Sequence, residues 1–255
     1  MLLAVDIGNT NTVIGVVDAG TIRLRWRIVS DAARTADEHG MVLRQLCGQS
    51  GVDVEDISGA IVCSVVPALT ASFVAMLEAV VGVEPVVVGP DLDLGIAIDY
   101  LDPREVGPDR LANAVGVLSV VDGSAIVVDF GTATTFDVVS EDGHYMGGAI
   151  APGLLTSAET LFRKAALLHG VALDPPDAVI GRSTAESLRS GILIGAAGQV
   201  DEIVRRIVEE WGAEPTVVAT GGLAGRIAPL TETIDLVEPD LTLRGLALIY
   251  KRVKG

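Results

Sequence analysis

The sequence predicts an α/β protein made of two similar halves, each opening on a strand that carries an aspartate into a tight turn. Three observations carry this expectation. LLAVDIGNTNTVIGVVDAG at 2–20 and AIVVDFGTATTFDVVSEDG at 125–143 share one layout: a strand-forming run reaching an aspartate, then glycine, small polar residues and a second apolar run. Asp6 aligns with Asp129, Gly8 with Gly131, Thr12 with Thr135, Asp18 with Glu141 and Gly20 with Gly143, all at an offset of 123 positions. That offset is about half of the 255 residues, so it marks a duplicated domain and not a short solenoid period. Finally, 49% hydrophobic residues supply a substantial core. The expected division is 1–115 and 116–255.

The elements follow in order. After the first turn and its second strand, TIRLRWRIV at 21–29 alternates Ile22, Leu24, Trp26 and Ile28 with Thr21, Arg23, Arg25 and Arg27. This is the period of a half-buried strand whose arginines face solvent. Thr35-Ala36-Asp37-Glu38 reads as a capping box that opens a helix toward Gln49. Short strands are expected at 60–65 and 85–88, with a helix over 67–81 between them, which makes the first half βββαβαβ. The Pro-, Gly- and Asp-rich connector DYLDPREVGPDR at 99–110 leads into a helix over 109–120. The second half repeats three strands near 125–129, 134–140 and 144–150. Helices over 154–168 and 184–210, a strand at 216–220, a glycine turn, a short strand near 234–237 and a last helix from 241 complete the chain.

Composition excludes several function classes. A formal charge of −16, from 34 acidic and 18 basic side chains, gives no net attraction to nucleic acid or anionic membrane. Cys47 and Cys63 lack metal-ligand spacing and read as small buried apolar residues in a reducing cytoplasm. His39, His144 and His169 form no i,i+3 or i,i+4 pair, so no histidine metal site is expected. Apolar runs stop short of the roughly 18 residues of a membrane span, and Asp6 interrupts the N-terminal stretch where a signal peptide would lie. A cytoplasmic protein is expected.

The repeated turn suggests the chemistry. A strand ending in Asp, Gly and then Thr or Asn exposes backbone N–H groups and hydroxyls that form a concave anion site without a lysine. Lys164, Lys251 and Lys254 are the only lysines and none follows a glycine-rich loop, so a Walker P-loop is absent. Two such turns facing one another would hold a chain of phosphates from both sides. A carboxylate about 4 Å from a phosphate charge is repelled by roughly 4 kcal/mol per unit pair at an effective dielectric near 20. Asp6 and Asp129 therefore call for a cation, and their hard oxygens suit Mg²⁺ or an alkali ion. A third element, TVVATGGLAG at 216–225, runs a strand into Gly221-Gly222. It reads either as a turn that lets the backbone approach adenine or as a tight turn only.

This ordered set resembles the acetate and sugar kinase, heat-shock ATPase and actin superfamily, whose duplicated RNase H-like domains clamp ATP in a cleft. Within it the chain is similar to type III pantothenate kinases. The resemblance rests on DIGNTNT at 6–12, RTADEHG at 34–40, SVVP at 64–67, DPREVGPDR at 102–110, VVDFGTATTFD at 127–137, GGAIAPG at 147–153 and ATGGLA at 219–224. It implies ATP-dependent phosphorylation of the primary hydroxyl of pantothenate, the first step of coenzyme A synthesis, with Mg²⁺. By similarity Asp6, Ile7, Gly8, Asn9, Thr10, Asn11, Thr12 and Val13 bind the ATP phosphates with Thr132. Asp129 holds K⁺ or NH₄⁺. Tyr100, Gly107, Pro108, Asp109, Arg110 and Thr184 form the pantothenate site, with Asp109 as proton acceptor. The resemblance also implies a homodimer, with no nucleic acid or membrane partner.

Two departures from the family pattern stand out. The tetrapeptide is usually Gly-Ala-Asp-Arg, whereas this chain has Pro108, which lacks the N–H for a direct contact. Leu168-His169 replaces the usual Leu-Pro. Without the resemblance Asp109 also reads as a helix cap, Arg110 as a surface ion pair, and Tyr100 as either core or pocket. Two rival functions are a phosphohydrolase of the same superfamily and a nucleotide-sensing regulator that lost catalysis.

Overall fold

The computed structural model describes residues 1–164 and 170–255. It divides into two compact units, residues 1–119 with 240–255, and residues 120–239. The sequence division at 115/116 placed the last helix with the second half, whereas that helix packs within the first unit.

In the first unit β1 (Leu2–Ile7), β2 (Asn11–Asp18) and β3 (Thr21–Val29) form an antiparallel meander. β4 (Gly59–Ser64) joins β1 in parallel and β5 (Val86–Val87) joins β4, which gives the order β3-β2-β1-β4-β5. β1 and β4 are almost wholly apolar because a central parallel pair is covered on both faces. β3 alternates as expected, with Thr21, Arg23, Arg25 and Arg27 exposed, and Arg25 forms an ion pair with Asp240 at 3.1 Å. Charged side chains on this edge strand discourage pairing with another chain.

Helix α1 (Ala36–Gln49) starts at the expected capping box: Thr35 Oγ1 accepts from the Glu38 N–H, and the Glu38 carboxylate accepts from the Thr35 N–H at 2.8 Å. Helix α2 (Pro67–Met76) begins with Pro67 at a position where a missing N–H costs nothing, and it runs into a π-helical turn over Leu77–Val81. α1 and α2 cover one face of the sheet with Leu43, Cys47, Leu69, Phe73 and Met76. A two-residue strand, β6 (Ala97–Ile98), directly precedes the connector and was not foreseen. Helix α3 (Pro108–Val117) follows it.

The second unit repeats the plan. β7 (Ala125–Phe130), β8 (Ala133–Val139) and β9 (His144–Pro152) form the meander, while β10 (Thr216–Gly221) and β11 (Leu236–Val237) extend it in parallel. The order β9-β8-β7-β10-β11 matches that of the first sheet. Helix α4 (Leu154–Lys164) covers the start of the helix expected over 154–168; the remainder, with Leu168 and His169, lies outside the described residues. α5 (Thr184–Trp211) opens on a Ser183 cap and contributes Leu193, Val200 and Val204 to the core. A short helix, α6 (Ala224–Ile227), follows the glycine turn.

The last helix, α7 (Leu241–Lys254), lies against α3. The two backbones come so close that a Cβ at Gly245 would collide with the Ala112 carbonyl oxygen. Thr242 donates to Asn113 Oδ1 at 2.8 Å across the same crossing. Among the described residues no helix is long and apolar enough to cross a membrane.

Candidate active site

In the first unit the turn after Asp6 is built on backbone bonds. Gly8 N–H donates to the Asn11 carbonyl at 3.1 Å. Ser30, at the end of β3, pins the loop from outside: its hydroxyl donates to the Gly8 carbonyl at 2.6 Å and its N–H donates to the Thr10 carbonyl at 3.0 Å. Because that hydroxyl has only one proton, the 2.9 Å contact with Thr12 is donated by Thr12. Asn9, Thr10 and Asn11 are exposed, while Ile7 and Thr12 are buried. The Thr12 side chain therefore braces the loop from below. Ser30 was missed in sequence because nothing local distinguishes it from any serine that ends a strand.

In the second unit the turn after Asp129 is one residue shorter. Gly131 N–H bonds the Ala133 carbonyl at 3.0 Å, and Asp129 pairs with Thr135 where Asp6 pairs with Val13. The constant 123-residue offset thus holds in sequence but slips by one in cross-strand register. Thr132 is exposed, and its carbonyl accepts from Thr156 Oγ1 of α4 at 2.8 Å. Gly221 ends β10 with φ +89°; a Cβ there would collide with Asp129 Oδ1 and lie 2.7 Å from the Phe130 nitrogen and oxygen. The glycine is required by the aspartate beside it and by its left-handed backbone.

Gly107, Pro108, Asp109 and Arg110, expected at the acceptor site, form the start of α3. Gly107 is the N-cap and has no side chain to offer, and Pro108 takes the first helical position with its φ already suited to a helix. Asp109 curls back over this turn: its Oδ1 accepts from the Arg110 N–H at 2.9 Å and lies 2.5 Å from where a Gly107 Cβ would stand. Burial pushes the Asp109 carboxyl above the usual range, opposed by the Arg110 amide and guanidinium. A carboxylate with raised basicity at the mouth of a helix is suited to accept a proton. Arg110 is buried, so it is no surface ion pair; Tyr100 is partly exposed, so it is no core residue. Thr184 is exposed at the first residue of α5, in the second unit with Asp129 and Thr132.

Comparison with known proteins decides the family. The sequence profile described as type III pantothenate kinase matches residues 2–206. A type III pantothenate kinase of Moorella thermoacetica is 48% identical over 252 residues, covering 99% of both chains. The chain belongs to the type III pantothenate kinase family. Solved structures share the fold of this family member at low sequence identity. The activator of 2-hydroxyisocaproyl-CoA dehydratase from Clostridium difficile, solved with bound ADPNP, has a TM-score of 0.60 at 15% identity, covering 99% of this chain and 95% of that one. A Baf family transcriptional activator from Campylobacter jejuni has the same TM-score at 19% identity, covering 98% of each chain.

A cavity of about 240 Å³ between α4, α5 and the second sheet is lined by Phe130, Thr134, Leu154, Ala158 and Gly195 among others, and by none of the sequence-predicted site residues.

Proposed function

We infer that the chain transfers the γ-phosphoryl group of ATP to the primary hydroxyl of pantothenate, opening coenzyme A synthesis in the cytoplasm as a homodimer. The carrying observation is Asp109: a carboxylate of raised basicity, held over the first turn of α3 beside a buried arginine, inside the DPREVGPDR segment. It accepts the hydroxyl proton as the phosphorus–oxygen bond forms. Arg110 offers a planar fork to the pantothenate carboxylate, a contact lysine does not reproduce. Tyr100 and Thr184 complete the acceptor site, with Gly107 and Pro108 shaping its floor.

Residues 6–13 and Thr132 are the groups that bind the ATP phosphates, each turn offering backbone donors and hydroxyls to phosphate oxygens. Mg²⁺ with the nucleotide disperses the charge that develops on transfer. Among the described residues no group of three or more His, Cys, Asp or Glu side chains could cage a metal, which agrees with an ion carried in on phosphate oxygens. Asp129 is the carboxylate for a monovalent cation, K⁺ or NH₄⁺. Its oxygen fills the space that a Cβ at 221 would take, beside the Phe130 carbonyl, a hard-oxygen setting that fits such an ion.

The test is ATP-coupled turnover with and without pantothenate, run in sodium, potassium and ammonium buffers. Product formation only with pantothenate, and faster in potassium or ammonium, is the expected result. Phosphate release that ignores pantothenate would replace the kinase by a hydrolase.

A further inference from the structure

The two halves copy one another strand for strand, yet their acidic strands have different neighbours. In the first sheet Asp6 is flanked by Val13 on β2, and Ser64 pairs with Ile7 on β4. In the second, Asp129 is flanked by Thr135 on β8, and Gly221 pairs with Phe130 on β10. Directly opposed residues of an antiparallel pair project from the same face with Cβ atoms about 5 Å apart. The second acid therefore has a hydroxyl where the first has an isopropyl group, and where the first has a serine it has a glycine, whose missing Cβ leaves room for the Asp129 carboxylate.

What lies behind that hydroxyl determines its chemistry. Thr135 Oγ1 donates to Asp137 Oδ2 at 3.1 Å, and Asp137 Oδ1 accepts from the Tyr145 hydroxyl at 2.9 Å. Asp137 and Tyr145 are both fully buried. Thr135 directs its single proton at Asp137 Oδ2, which leaves the lone pairs of Oγ1 for another partner. Thr135, Asp129 and Gly221 all retain solvent access, side by side on three adjacent strands, while Val127, Val218 and Thr220 around them are buried.

We propose that Thr135 Oγ1 is a second, neutral oxygen ligand for the monovalent cation, made available by the buried Asp137–Tyr145 pair, and that this is why the cation belongs to the second turn and not the first. The proposal rests on the reading of Asp129 as the cation carboxylate. A large monovalent ion takes several oxygens of low charge, and a hydroxyl whose proton is already committed is a better donor of electron density than a free one.

The experiment is thermal melting of the full chain with KCl titrated against NaCl at constant ionic strength, with and without a non-hydrolysable ATP analogue. Wild type should show a potassium-specific rise in Tm with a defined midpoint. Thr135→Val should move that midpoint at least tenfold higher, and Thr135→Ser should return it to within about threefold. Asp137→Asn presents an amide that donates toward Oγ1 and claims a lone pair, so it too should weaken potassium at least fivefold; it decides the matter if Thr135→Val does not fold. Unchanged midpoints in Thr135→Val and Asp137→Asn, with the potassium effect lost in Asp129→Asn, would overturn the Thr135 ligand while leaving Asp129 in place. A potassium effect that survives Asp129→Asn, or that is missing from wild type, would remove the cation reading itself and this proposal with it.

Discussion

At the scale of single residues, Asp109 combines a role in chemistry with a cost in stability. Its folded-state pKa is raised by burial, so the folded protein binds the proton more tightly than the unfolded chain. The stability this group contributes is complete below its unfolded value and is lost as pH rises through the folded one. Asp109→Asn should therefore lower kcat by about 10²–10⁴-fold while ATP binding persists, and it should melt higher than wild type at neutral pH. That Tm advantage should shrink in acid; a mutant with full turnover would remove the proton-acceptor role. Arg110→Lys keeps the charge but loses the fork, so it should raise the KM for pantothenate by roughly tenfold with a smaller change in kcat, read from steady-state kinetics. The DPREVGPDR motif, from which the proposed roles of Asp109 and Arg110 come, was legible in sequence. Ser30, Asp137 and Tyr145 were not, because what they hold is reached by folding: Ser30 bonds a carbonyl 22 residues away.

At the scale of elements, α1 shows how local signals and tertiary burial divide the work. Its start was readable from four residues, because a capping box is satisfied within one turn. Thr35→Ala should cost about 1 kcal/mol in chemical denaturation. His39, in the same helix, is buried against Phe73, with ring centroids 4.4 Å apart. Neither imidazole nitrogen has a hydrogen-bond partner, and burial, reinforced by Arg34, lowers its pKa from 6.5. The unfolded chain takes up a proton near 6.5 that the folded chain refuses. The contribution of His39 is thus present above that pH and is lost as pH falls below it. Tm should drop between about pH 6.5 and 5 in wild type and drop less in His39→Phe, followed by calorimetry. Helical periodicity did not mark His39 as interior because a single polar ring interrupts the apolar pattern whichever way it faces.

At the scale of the whole molecule, the C-terminal helix belongs to the unit formed by the N-terminus, against the linear division of the chain. α7 and α3 meet at Gly245 and the Ala112 carbonyl, so Gly245→Ala should cost about 1–3 kcal/mol in denaturant unfolding. Removing residues 240–255 should disrupt the first unit, visible as loss of its cooperative transition. By itself the sequence determined the duplication, the α/β class, the order of strands and helices within each half, and the family, because periodicity, capping and motif order are local properties that survive without coordinates. Only the tertiary structure decided that α7 returns to the first unit, that the second turn is one residue shorter in register, and that Gly221 makes room for Asp129. The first and third are contacts between segments far apart in the chain, where the approach of two backbones is set by packing and no local pattern encodes the distance; the second is set by which backbone N–H and carbonyl close the turn.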